Sequence, residues 1–329
     1  MSPLFGRRSA GPRPDPADAA RQAQRDQESI ARLEQGGIPL NASERLAALA
    51  SGDASGAYTS DLSVGEFSLL HRLGIVPVTV VMGSSIFHVG WQNVYYNSPT
   101  EMHSISDAYN ESRRRALARL LEETATAGAD AVVGVRLEQG AHDWAPGTVE
   151  FVAVGTAVRL PPALRSDGGP VLTDLDGQQF WQLCEAGIRP VGLVAATSVH
   201  YAPASMQTMR AQSTIFGSSW QNQELTDYTA GLYAARHSAM HELTAQAHQC
   251  GADGVVGVSF RQHVRAVRVQ RTMGMDSEDM IVTLHVLGTA IREDPALASA
   301  AASAAGAATV LDLSAPAAAR PTRSPARLQ

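Results

Sequence analysis

The chain has 329 residues, 44% of them hydrophobic, and carries a formal net charge of -6 from 26 basic and 32 acidic side chains. That length suits two domain cores plus connecting material, the acidity argues against bulk attraction to nucleic acid or an anionic membrane, and no apolar run reaches the ~18 residues that span a bilayer. Only Cys184 and Cys250 are present, which excludes a disulfide framework and a Cys-rich zinc site, and Arg7-Arg8 leads into prolines and charges rather than an apolar signal core, so the expected location is cytoplasmic.

Residues 1–59 read as an N-terminal arm, partly helical or disordered. Residues 1–16 mix Pro, Gly and Arg without apolar periodicity. Residues 17–35 are helix-compatible, anchored by Ile30 and Leu33, and Gly36-Gly37 ends them. Residues 43–50 predict a second short helix through Leu46 and Leu49.

A first domain is expected over 60–160. Ser63 with Glu66 offers a capping box for a short helix carrying Phe67 and Leu70, and Gly74 closes it. A strand over 78–89 follows, then a loop with Trp91, Gln92 and Asn93. A long helix begins near Ser104, with Tyr109, Ala116, Leu117, Leu120 and Leu121 on its inner face. Residues 128–135 read GADAVVGV: a glycine suited to a left-handed helix stop, a turn aspartate, then stiff valines that favour a strand. Gly134 within that strand marks a bulge or a close approach. The strand turns and returns over 149–158 through Gly155-Thr156-Ala157.

Residues 161–173 read as a linker, and the same order then recurs over 174–293. Asp176 and Gln179 replace the first capping pair; Leu183 and Gly187 each lie 113 positions after Leu70 and Gly74. Trp220, Gln221 and Asn222 repeat the Trp-Gln-Asn run, residues 251–258 read GADGVVGV, and Gly288-Thr289-Ala290 repeats the earlier triplet. The chain is therefore a tandem duplication. Two loops are longer in the second copy: the one before Trp220, and the hairpin through Arg271 to Asp279. Arg261, His263, Arg265, Arg268 and Arg271 alternate with Val264, Val267 and Val269, the pattern of a strand with one solvated face, with Asp276, Glu278 and Asp279 just beyond. Residues 294–329 form an Ala/Pro-rich tail with too few bulky side chains for a core, and are expected to be disordered.

GADAVVGV after an Ala/Arg-rich helix, followed by a hairpin and GTAV at 155–158, resembles the YbjQ-like, heavy-metal-binding family, in two copies at roughly 66–160 and 179–292. The resemblance implies an α+β fold: tandem dodecin-like domains, each a long helix on a three-stranded antiparallel sheet preceded by a short helix. It also implies ring-forming homo-oligomers. The loop before the helix departs from the family's pattern, with Asn97-Ser98-Pro99 in one copy and residues 224–227 in the other.

Motifs for phosphate-binding loops, dinucleotide binding, zinc proteases, CxxC pairs and nucleophile elbows are all missing from the sequence. Trp91, Gln92, Asn93, Trp220, Gln221 and Asn222 read either as a stacking and hydrogen-bonding surface for a ligand, or as a seal at an inter-domain or inter-subunit contact. His237, His241 and His248 project from nearly one side of the second long helix, as ligands for a divalent transition metal or as an ordinary polar flank. The leading expectation is a non-enzymatic oligomeric protein that binds a small ligand or acts as a scaffold, with homo-oligomer or protein partners and no nucleic acid or integral membrane segment. The alternatives are a metal-handling protein using those histidines, and then an enzyme with a site at the domain interface.

Overall fold

The computed structural model describes residues 16–51, 58–90, 98–140, 147–166, 168–212, 222–270 and 276–297. The arm forms α1 (Pro16–Glu34) and α2 (Leu40–Ser51). The first repeat runs α3 (Val64–Arg72), β1 (Val76–His88), β2 (Thr100–Glu101), α4 (His103–Thr126), β3 (Ala131–Gly140) and β4 (Thr148–Arg159). The second runs β5 (Val171–Leu172), α5 (Gly177–Glu185), β6 (Ile188–Ala202), α6 (Met206–Gln212), α7 (Thr226–Gln249), β7 (Gly254–Gln270) and β8 (Asp276–Glu293).

Local chemistry sets these boundaries. Ser63 and Asp176 each accept the amide at the third helical position while Glu66 and Gln179 reach back, so α3 and α5 both begin with a complete capping box. Gly74 and Gly187 close those helices at φ 70° and 72°, and Gly128 and Gly251 close α4 and α7 at 67° and 66°. A side chain at any of the four would be strained. The arm's second helix starts three residues earlier than its apolar pattern suggested, because Leu40 is itself buried.

The fold is α+β, but each sheet has four strands rather than the expected three. The orders are β1-β4-β3-β5 and β2-β6-β8-β7. Three antiparallel strands in each come from one repeat, and the fourth is a two-residue strand lent by the other side of the chain's midpoint. β5 runs parallel to β3, pairing Val171 with Ala131 and Leu172 with Val132, and β2 runs antiparallel to β6, pairing Thr100 with Tyr201 and Glu101 with His200. Strands this short leave no periodic signal in sequence.

Each long helix lies on its own sheet. Val81, Leu120, Val132, Ala153 and Ala157 fill the first core, joined by Ile38 and Leu46 of the arm; Val194, Ala196, Ala239, Leu243 and Val282 fill the second. The Gly-Thr-Ala triplets serve this packing. A Cβ on Gly155 would stand 2.6 Å from the Val132 side chain, and one on Gly288 would stand 2.8 Å from that of Val255. The threonines tie down the entry to each repeat: Thr156 donates to the Asp61 carboxylate, and Thr289 donates to Asp174 at 2.5 Å.

Two features of the second hairpin differ from the sequence pattern. Residues 259–266 of β7 are exposed on both faces, Val264 included; β7 is the outer strand of its sheet. Asp279 is buried rather than solvated, accepting from the Tyr201 hydroxyl and, at 2.9 Å, from the Ala204 amide.

The tightest helix–sheet approach is at Gly83, where a Cβ would come within 2.0 Å of the Ala116 carbonyl; Gly90 has nothing within 4 Å of the same atom. Gly83→Ala should therefore destabilise the fold by roughly 3 kcal/mol or prevent soluble expression, while Gly90→Ala changes the urea midpoint little. Equal midpoints for the two variants would contradict this packing.

Candidate functional site

The two repeats meet along a seam built on α4 and β6. Ser106, Asn110 and Arg113 are spaced so that they stand on one side of α4. The Ser106 hydroxyl accepts the Val199 amide at 2.9 Å. Asn110 clamps one residue of β6 at both ends, donating to the Thr197 carbonyl at 3.0 Å and accepting from its amide at 2.9 Å. Arg113, only 4% exposed, donates to the Ala195 carbonyl at 2.8 Å and to the Thr197 hydroxyl and Asn110 Oδ1, both at 2.5 Å. Burial pushes its pKa down to about 10, with Glu242 opposing, so the guanidinium keeps its charge at neutral pH.

The Thr197 hydroxyl stands 2.9 Å from His285 Nδ1. Because Arg113 only donates, the Thr197 hydroxyl accepts from it and meets Nδ1 with either its own proton or its second lone pair; the ring's other nitrogen is Nε2. Nε2 is buried with no hydrogen-bond partner among the described residues. The ring packs between Tyr109 and Phe151, with centroids at 5.7 and 6.2 Å. Burial, then the nearby Arg113 and Arg261, hold its pKa down at about 4. A cavity of about 230 Å³ opens at this point, lined among others by Arg113, Phe151, Asp174, Arg261 and His285. Burial raises the pKa of Asp174, against the hydrogen bond from Thr289. A neutral imidazole with so low a pKa is a weak base, and Arg113 is fully engaged with the protein. The arrangement is suited to clamping and to holding a small polar group, rather than to proton transfer.

The sequence did not single out this site. Its one signal was Arg113 recurring as Arg236, 123 positions on, the same spacing as Gly128 to Gly251. Trp91, Gln92, Asn93, Trp220 and Gln221 lie outside the described residues, and Asn222 is exposed. His237, His241 and His248 are exposed on α7 and do not join the seam. Among the described residues no group of three or more His, Cys, Asp or Glu side chains is placed to hold a metal. Cys184 is buried, which pushes its thiol up to about 12 and leaves it unreactive. Cys250 is exposed at the C-terminal cap of α7. No described helix is long and apolar enough to cross a membrane.

Two helix-on-sheet units of matching topology, joined by reciprocal strands, define a tandem α+β protein. The chain belongs to the YbjQ family, described as "Putative heavy-metal-binding", whose model matches residues 58–161 and 187–293. It is similar to the encapsulin nanocompartment protein Rv1762c of Mycobacterium tuberculosis, with 38% identity over 225 residues, 67% of this chain and 81% of the relative. Other relatives include a UPF0145 protein of Methanococcus vannielii, 43% identical over 60 residues, covering 18% of this chain and 55% of the relative. Another, from Halobacterium salinarum, is 34% identical over 92 residues, covering 28% of this chain and 86% of the relative. No solved structure matches.

The pKa of His285 gives the seam a pH signature. Its folded value of about 4 lies below the ordinary 6.5, so the unfolded chain binds the proton first and the contribution of this group falls as pH drops from about 6.5 to 4. Asp174, with its pKa raised, acts in the opposite sense. His285→Asn should therefore flatten the fall in urea midpoint between pH 6.5 and 4 relative to the parent chain; parallel pH curves would show that His285 is not held neutral.

Proposed function

We propose that this chain is a non-enzymatic, homo-oligomeric scaffold component of a protein compartment in the cytoplasm. The reading is carried by the seam: a buried arginine and an asparagine clamp one repeat to the other, while reciprocal strands complete both sheets. Such a contact matches the physics of a subunit interface, with a buried charged anchor bonded to three acceptors. The relative named as an encapsulin nanocompartment protein, aligned over most of both chains, supports a compartment role. The cavity beside His285 gives the scaffold a place for a small polar ligand that hydrogen-bonds to Nε2. Native mass spectrometry of protein purified from its host should show a multiple of the 34.8 kDa chain; a monomer persisting at high micromolar concentration would overturn the reading.

Metal handling is a second reading, favoured by the family's description and by His237 and His241, exposed one helical turn apart on α7. On this reading, replacing both with Ala abolishes stoichiometric zinc, nickel or copper uptake without changing the circular dichroism. Equal uptake by parent and variant would remove it.

A further inference from the structure

The two repeats are related by position, so each side chain at the seam has a counterpart elsewhere on the chain. On the first repeat, Ser106, Asn110 and Arg113 bond β6, Tyr109 packs in one cluster with Val199, and Leu137 and Phe151 pack with Tyr109 behind it. Their counterparts on the second are Thr229, Leu232, Tyr233, Arg236, Phe260 and Leu284. These six line a hollow of about 520 Å³ beside α7, open to solvent. Tyr233 is 64% exposed and Phe260 48%, and the Arg236 guanidinium lies 5.9 Å over the Phe260 ring. The hollow is the second repeat's version of a seat that, on the first repeat, β6 already fills.

What fills the first seat identifies what fits the second. The occupied seat holds Ala195, Thr197 and Val199 of β6, whose counterparts, 113 positions earlier, are Met82, Ser84 and Ile86 of β1. Met82 is 51% exposed and Ile86 53%, although β1 belongs to a packed sheet. The same correspondence applies at the sheet edge. The β3 bulge is sealed from outside, with the Gly134 and Val135 amides bonded to the Leu175 and Thr173 carbonyls at 2.8 and 2.9 Å. The β7 bulge at Gly257 has a positive φ of 66°, against 65° at Gly134, yet β7 is the outermost strand of its sheet. The counterpart of the sealing segment is residues 58–62. That segment is held against its own sheet as 171–175 is held against the second, Asp61 on Thr156 matching Asp174 on Thr289.

We propose that copies of this chain join head to tail: residues 58–62 of one copy add as a parallel strand to the β7 edge of the next, and its Met82 and Ile86 seat in the hollow beside α7. Arg236 then takes the role across the new seam that Arg113 has within the chain. The proposal rests on the oligomeric reading and adds its interface. Donor and acceptor faces differ, so the contact is heterologous and propagates from copy to copy until a ring closes. The arm belongs at the same junction, since Arg119 on α4 ties the Gly37 and Leu33 carbonyls to that of Ser84 on β1.

The occupied seam also supplies the register for a test. Val171 pairs with Ala131, so Tyr58 of one copy should face Gly254 of the next. A Cβ on Gly254 meets only the Ile291 side chain, at 3.9 Å, so cysteine is accommodated there. Paired parallel strands bring Cα atoms within the roughly 4.4–6.8 Å that a disulfide spans. The full chain carrying Tyr58→Cys and Gly254→Cys, with exposed Cys250 changed to Ser, is oxidised with oxidised glutathione and run on a non-reducing gel beside each single variant. A ladder of covalent multimers in the double variant alone, ending at the native mass, is the expected result. An oligomer by light scattering that gives no ladder overturns this interface and leaves the oligomeric reading standing; a monomer by light scattering overturns both. As a second measurement, Arg236→Glu with Phe260→Glu should reduce the mass to one chain with unchanged circular dichroism, and an undiminished mass would count against the proposal.

Discussion

Both sheets depend on one constraint, the need to satisfy the backbone groups along the edge of a strand that cannot end in water at no cost. A three-stranded sheet with a helix on one face has two such edges. In this chain the edges facing the midpoint are closed by exchange: two residues ahead of α4 pair with β6, and two residues of the linker pair with β3. Neither segment has enough contacts to form a strand alone. Each is positioned by the unit it leaves and stabilised by the unit it joins, so the halves are coupled through their hydrogen bonds as well as through packed side chains.

The polar seam follows from that exchange. Once β2 lies along the end of β6, the adjoining stretch of β6 still presents Ala195 and Thr197 backbone groups, and it is these that Arg113 and Asn110 address. Gln246 takes the Ala195 amide at 3.1 Å, as Glu123 takes that of Met82 at 2.9 Å. The long helices therefore act as racks of side chains that finish each sheet edge, as well as covers for the sheet's inner face. Burying a guanidinium is costly unless all its neighbours are acceptors, which makes the seam specific: an apolar substitute would pack but would not fix which residue of β6 sits opposite α4.

Much of the fold was legible because it was stated twice. Capping boxes at Ser63 and Asp176, helix stops at Gly128 and Gly251, and bulges at Gly134 and Gly257 are backbone demands that few residue types meet, and their repetition fixed the register between copies. The fourth strands were not legible, since Thr100-Glu101 and Val171-Leu172 carry no periodicity and obtain their structure from a distant partner. The seam was hidden for a related reason. Arg113 sits among Arg114 and Arg115 in a run that reads as a solvated helix face; Arg114 and Arg115 do bond Glu111 at the surface, and only the approach of β6 makes the middle of the story different for Arg113. The exposed valine of β7 misled in the opposite direction, because alternation predicts a buried face only where something lies over it.

The position of β5 also bears on how the chain is made. Translation delivers β1, α4, β3 and β4 well before the linker, so the first unit emerges from the ribosome with the Gly134 and Val135 amides still facing solvent. Their acceptors, the carbonyls of Thr173 and Leu175, arrive only after the unit's own last strand is complete. During that interval the nascent unit presents an open strand edge that a neighbouring nascent chain can meet as readily as its own continuation. The order of synthesis therefore favours a short linker, which presents the sealing segment soon after the edge it must close.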